Sequence, residues 1–247
     1  MKIDTREMES LQASADSVNR VDLYVGIHKA LRALMTDVLI AVGRMDTDDE
    51  SEFDWVSSRV LQLAEVCSSH LTHENEFVHV ALEARQPGAS ARIAAEHGQH
   101  CEAIAALESA VHGMRASSKG ESRTRAALAL YRRLALFVAH NFEHMHEEET
   151  AHNQVLWNHY SDEELLALHA RILASLPPEE SLFTLRWMIP AMTPAERLAV
   201  LDDMRAHAPA PAFAAALDVV QPHLDVRGWA KLSRGLGLAP AAGLVQA

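Results

Sequence analysis

The feature that most constrains this chain is a set of apolar stripes, each stepping by alternating three and four residues, through its first 160 residues. That step is the period of a helix packed against other helices. One stripe runs Val21, Tyr24, His28, Leu31, Met35, Val38, Val42, and a second Val60, Leu63, Cys67, His70, Glu74, Phe77, Ala81. A third runs Ile93, His97, His100, Ile104, Leu107, Val111, Met114. The last runs Leu130, Leu134, Phe137, Asn141, His144, Glu148, Ala151, Val155. Breaks at 43–51, at Gln86-Pro87-Gly88 and at 116–121 divide the region into expected helices at roughly 21–45, 51–86, 89–115 and 122–160. Short connections between long helices make sequence neighbours antiparallel, so the expected fold is all-α, an up-down-up-down four-helix bundle. No β-branched run alternates with period two. A short leading helix is expected within residues 1–18.

Beyond residue 160 prolines punctuate shorter helices. Ser161 with Glu164, and Thr193 with Glu196, have the spacing of capping boxes, and Pro194 occupies a first helical position. Phe183, Trp187, Met188, Ile189, Phe213, Leu217, Trp229 and Leu232 supply apolar faces. The expected organisation is a bundle with its lead-in over 1–160 and a smaller helical subdomain over 161–247, which offers a surface to a protein partner or a second copy. His169, His207 and His223 are scattered there and expected at the surface.

The formal charge of -12 disfavours nucleic acid and anionic membranes, which select basic faces. No apolar run reaches the length of a membrane span. Two cysteines, Cys67 and Cys101, form no disulfide framework, and the first residues lack the apolar core of a signal peptide, so a cytoplasmic protein is expected. Histidine is in excess: 15 residues against 6 Phe, 4 Trp and 3 Tyr.

Only some of those histidines fall in phase with the stripes. His28, His70, His97, His100 and His144 do so, joined by Glu74 and Glu148. Burying them is costly unless something satisfies them. The spacing His-x-x-x-Glu occurs at 70/74 and again at 144/148, and a four-residue step puts both side chains on one helical face. Inward imidazoles and carboxylates from several helices are how bundles build two-metal sites. Nitrogen and oxygen donors without thiolate suit iron, manganese or zinc, and iron is favoured where a position stays open for O₂. The competing reading is a polar layer in which the histidines hydrogen-bond to the glutamates.

Other residues are weighed by the same phase. His140 precedes His144 by one turn and competes with His100 as the fifth histidine, although it lies one step off the stripe. His73 has the spacing of an outer partner to His70 and Glu74. His79, His112, His146, His152 and His159 are expected in solvent or with local partners, and Glu147 and Glu149 on a solvated acidic face. Tyr24, one turn before His28, is expected as a core aromatic, with a place beside the site as the sharper alternative.

At these residues the chain resembles the hemerythrin-like (HHE cation-binding) family. Ile27-His28-Lys29-Ala30-Leu31-Arg32 is similar to the family's first-helix motif, and His70-Leu-Thr-His-Glu74-Asn-Glu-Phe77 to the second-helix one. Glu96-His97 resembles the third-helix Glu-His, and His144-Met-His-Glu-Glu148-Glu149 the fourth-helix motif. Within the family the look is nearest to the domains of iron- and oxygen-sensing proteins. The resemblance implies a non-haem centre of two iron ions, bridged by carboxylate and by oxide or hydroxide. Its metal ligands would be His28, His70, Glu74, His97, His144 and Glu148, with Glu74 and Glu148 bridging. Oxygen carriers of the family often have His-x-x-x-His on the third helix, where this chain has His97 and His100 three apart. Their fourth-helix carboxylate comes five residues on, where Glu148 follows His144 by four.

The expected function is binding or sensing of O₂, iron or redox state, with O₂, another small diatomic or peroxide as the ligand. No nucleophile–base pair with an oxyanion hole is visible, so catalysis is not the first choice. The alternatives are a di-iron oxidoreductase handling nitric oxide or peroxide, and a metal-dependent protein-interaction module.

Overall fold

The computed structural model describes residues 20–238, and all regular structure among them is helical. The expected leading helix in 1–18 lies outside the described residues. Helix α1 is Val25–Arg44 and α2 is Glu50–His73. A π-helical turn, Glu74–Val78, joins α2 to α3, His79–Arg85. Helix α4 is Ala91–Ala116 and α5 is Glu121–Glu147, and a second π-turn, Glu148–His152, carries α5 into α6, Asn153–His159. Then come α7, Asp162–Ser175; α8, Pro178–Ala191; α9, Pro194–His207; α10, Ala210–Val220; and α11, Val226–Gly235. None of the described helices is long and apolar enough to cross a membrane.

The breaks read from the sequence fall where the chain turns. Asp49 caps α2 by accepting from the Ser51 and Glu52 amides. Gly88 and Gly120 hold φ of 88° and 86°, a region an L side chain enters only under strain, and they end the two reversals on either side of α4. Both expected capping boxes form. The Thr193 amide donates to Glu196 Oε2 at 2.7 Å while Thr193 accepts from the Glu196 amide; Ser161 and Glu164 do the same.

The chain clusters into two compact units. Among the described residues, one contains Leu34–Ser175 together with Arg20–Val25. In it α2 packs along α4 and α4 along α5, as short reversals dictate. Val38, Leu63, Val111 and Leu134 are completely shielded from solvent, and every residue of the third stripe is buried. Near Glu74 and Glu148 a second layer packs Tyr24, Val78, Leu82, Leu156 and Leu165.

The second and fourth stripes depart from expectation at one place each. Past Glu74 the buried residues are Val78, His79 and Leu82, and the stripe passes through Val78 and Leu82 instead of Phe77 and Ala81. Past Glu148 they are Thr150, His152, Asn153 and Leu156, and the stripe passes through His152 and Leu156 instead of Ala151 and Val155. Both shifts are one residue, and both begin at a π-turn, where i→i+5 hydrogen bonding admits one extra residue and rotates everything that follows.

The other unit contains, among the described residues, Leu176–Leu238 and residues Gly26–Ala33 of α1. Its core is Leu185, Ile189, Met192, Leu201, Ala216, Val220, Leu232 and Leu236. Met188, Phe213, Leu217 and Trp229 pack against that core, as their apolar faces suggest. Lys29 Nζ meets both oxygens of Glu196 at 2.7 Å, so the capping glutamate of α9 also carries an ion pair. His169, His207 and His223 are exposed, as expected.

Candidate metal centre

Each His-x-x-x-Glu module ends at the first residue of a π-turn. Within α2 and α5 the four-residue step stacks histidine over glutamate: His70 Nε2 lies 3.3 Å from Glu74 Oε1, and His144 Nε2 lies 3.1 Å from Glu148 Oε1. From α4, His97 enters between them. Its Nε2 is 3.5 Å from Glu74 Oε2, 3.6 Å from Glu148 Oε1 and 3.1 Å from His144 Nε2. Glu74 therefore turns one oxygen to His70 and the other to His97.

Burial makes this arrangement expensive in the absence of a cation. Glu148 is 0 % exposed, His28 0 %, His97 2 %, Glu74 4 % and His144 4 %. Donor atoms of His28, His70, Glu74 and Glu148 all lie within 4.8 Å of one another, and so do those of Glu74, His97, His144 and Glu148. Both carboxylates belong to both groups. Two donors held about 2.1 Å from one ion at roughly a right angle stand about 3 Å apart, which is the spacing of the His97 and His144 Nε2 atoms.

The outer faces of these rings are fixed. His97 Nδ1 pairs with Asn75 Oδ1 at 2.9 Å, and His144 Nδ1 with Glu96 Oε2 at 2.9 Å. Since an amide oxygen and a carboxylate only accept, each Nδ1 carries the proton and each Nε2 turns a lone pair inward. That is how metal-binding imidazoles are held. Asn75 and Glu96 sit beside Glu74 and His97 in sequence, yet their role is visible only once α2, α4 and α5 are packed. Arg92 donates to Glu96 and to Glu147, tying α4 to α5 over that pair.

Electrostatics follow from burial. Desolvation pulls His144 down, but the Glu148 hydrogen bond and charge, with Glu96 behind, outweigh it and leave the ring more basic than usual. Burial, reinforced by neighbouring histidines, pushes His79 and His100 down to about 4. A histidine whose folded pKa is depressed binds protons more readily in the unfolded chain. Its stabilising neutral form is therefore fully in place above the unfolded value near 6.5 and is lost as pH falls toward 4. His144 has the opposite sign, its contribution disappearing as pH rises through its raised pKa. With two strongly depressed rings against one raised, the melting temperature of metal-free protein should fall as pH is lowered from about 6.5 to about 4. A flat profile across that window would contradict the burial of His79 and His100.

Of the seven residues picked from the sequence, His28, His70, Glu74, His97, His144 and Glu148 come together. His100 does not enter either group; it is buried with its ring edge-on to His144, centroids 4.5 Å apart. His140 is exposed. His73 points away from the cluster, bonded to Ser69 Oγ and stacked on Phe77. Cys67 is a buried thiol pushed up to about 12 by desolvation, and Cys101 is exposed.

Sequence reasoning missed His79 and His152. Both were expected in solvent or with local partners; they are 6 % and 2 % exposed. The His79 ring stacks on His97 at 4.8 Å and meets His152 edge-on at 5.5 Å. His152 Nδ1 lies 3.1 Å from the hydroxyl of Tyr24, which places Tyr24 at the site as well as in the core. A uniform helical period aims His79, five residues past Glu74, outward, and the π-turn brings it in; His152, four residues past Glu148, shares that glutamate's face by the ordinary step. The available signal was their position, each within five residues after the glutamate of a repeated module.

The family model of the hemerythrin HHE cation binding domain matches residues 19–156. No curated protein matches the chain, and no solved structure does.

Proposed function

Given that this chain belongs to the hemerythrin HHE cation-binding family, we propose that it holds two iron ions and uses them to bind or sense O₂, iron or redox state in the cytoplasm. One ion would be held by His28, His70, Glu74 and Glu148, the other by Glu74, His97, His144 and Glu148. The observation that carries this reading is the sharing of both carboxylates by two groups of donors. A carboxylate with two oxygens facing different imidazoles is suited to bridge. Imidazole and carboxylate donors without thiolate favour iron with an exchangeable position, and the ions would supply reversible electron exchange and an open site for a small ligand.

The protein's own part is to fix the donors and keep bulk water away. Asn75 and Glu96 hold the His97 and His144 rings, and the apolar layer of Tyr24, Val78, Leu82 and Leu156 lies on the side of the π-turns. His100 stands beside His144 as a packing neighbour in this reading and limits that ring's rotation. Manganese or zinc would fit the same donors, so metal identity is part of the test.

The test is metal analysis with optical spectra of anaerobically reduced protein, recorded before and after admission of air. Two irons per chain and a new absorption band that disappears on removing O₂ are expected. Catalytic consumption of peroxide or nitric oxide by the reduced protein, without a stable adduct, would replace this reading with a di-iron oxidoreductase.

A further inference from the structure

A third group of donors lies beside the two already described. His79, Glu148 and His152 each offer an atom within 4.8 Å of the others, and all three are buried. We propose that they form an auxiliary position for a divalent cation, in which Glu148 is shared with the two-ion centre.

Two observations point to a ligand there. First, the Nε2 atoms of His79 and His152 are fully enclosed and have no hydrogen-bond partner among the described residues. Buried polar atoms without partners are rare. Second, the tautomer of His152 is biased toward ligation. Its Nδ1 faces the Tyr24 hydroxyl at 3.1 Å, which can either donate or accept. If the ring proton sat on Nε2, that buried N–H would have no acceptor, which is the costlier omission. With Nδ1–H donating to the Tyr24 oxygen, Nε2 presents a lone pair, and the tyrosine acts as the outer partner that ligating histidines usually have.

Two histidines and one carboxylate with open positions are a recurrent donor set for divalent first-row metals. Donors about 2.1 Å from a common ion stand at most about 4.2 Å apart, so atoms within 4.8 Å of one another come within reach of one ion after small side-chain shifts. The first π-turn supplies the placement of His79, which without the extra residue would leave the interior; His152, four residues past Glu148, stands on that glutamate's face. Charge sets the rank. Only Glu148 is anionic here, and the neighbouring centre draws on the same carboxylate, so this position is the weakest of the three.

The proposal rests on its own donors and on the shared Glu148, and it is separable from the two-ion reading. Metal-free full-length protein is titrated with Co²⁺, and bound metal is counted after gel filtration while the visible spectrum is followed. The expected result is a weaker third equivalent in the unaltered chain, absent from a His79→Ala/His152→Ala variant that keeps the first two. Tyr24→Phe, which removes only the hydroxyl, should weaken the third equivalent by about tenfold and leave the others unchanged; this holds the test open if the double variant does not fold. Equal stoichiometry in unaltered and double-variant proteins overturns the proposal and leaves the two-ion centre standing. Loss of every equivalent from a folded double variant also overturns it, by making these histidines part of that centre. A single equivalent that disappears with His79 and His152 supports the auxiliary position and sinks the two-ion reading instead.

Discussion

Glu148→Gln should cost the protein both proposed ions at once. Glutamine keeps the size of the side chain but removes the charge that two donor groups share, and no other carboxylate is common to both except Glu74. Removing an outer partner of a ligand typically weakens metal binding by about 10- to 100-fold. Loss of a carboxylate common to two ions should exceed that, leaving less than one ion per chain after gel filtration. Glu96→Gln, which disturbs only the Nδ1 partner of His144, should stay within the milder range. The metal-free fold should tolerate Glu148→Gln and gain slightly in stability, because a carboxylate shielded completely from water is costly to bury. Metal content by atomic emission, with thermal melts of both metal-free proteins, checks both halves. Retention of two ions by Glu148→Gln would refute the shared-carboxylate arrangement.

Stripping metal from the unaltered protein should produce the largest change in stability. A ligand that binds only the folded chain adds about 4 kcal/mol when present at a thousand times its dissociation constant. For a unit of this size that corresponds to a melting temperature lowered by about 10 °C on treatment with a strong chelator. The physical source is the cluster itself: histidines and glutamates gathered in a bundle interior are costly to bury, and a bound cation offsets part of that cost. The chelated protein should also show the acid sensitivity expected of His79 and His100, whereas bound metal competes with protons at the neighbouring donors. An unchanged melting temperature after complete metal removal would rule out a buried site.

Much of the architecture was legible in the residues. The limits of α2, α4 and α5 follow from Asp49, Gly88 and Gly120, each of which acts through local backbone chemistry. The third stripe, Ile93 through Met114, is buried without exception because α4 is a regular helix from end to end. The repeated His-x-x-x-Glu module exposed the site for the same reason: spacing within a regular helix fixes which side chains share a face. The stripes failed where regularity failed. Nothing in Glu74-Asn-Glu-Phe-Val78 or Glu148-Glu-Thr-Ala-His152 marks a π-turn by composition, since the difference lies in which carbonyl each amide chooses.

The sequence by itself determined the helices, their caps, the all-α class and six of the side chains that meet in the bundle, because those depend on periodicity and on contacts a few residues apart. The tertiary structure decided the rest. His97 and His100 lie three apart and share a face of α4, and only the approach of α5 settles that His97 faces the carboxylates while His100 lies against the His144 ring. The partnerships of Asn75 with His97 and of Glu96 with His144 join different helices and have no local signature. His79 entered the interior because its helix takes up one additional residue at the cluster, a rotation set by packing and hydrogen-bond choice rather than by any residue's own preference.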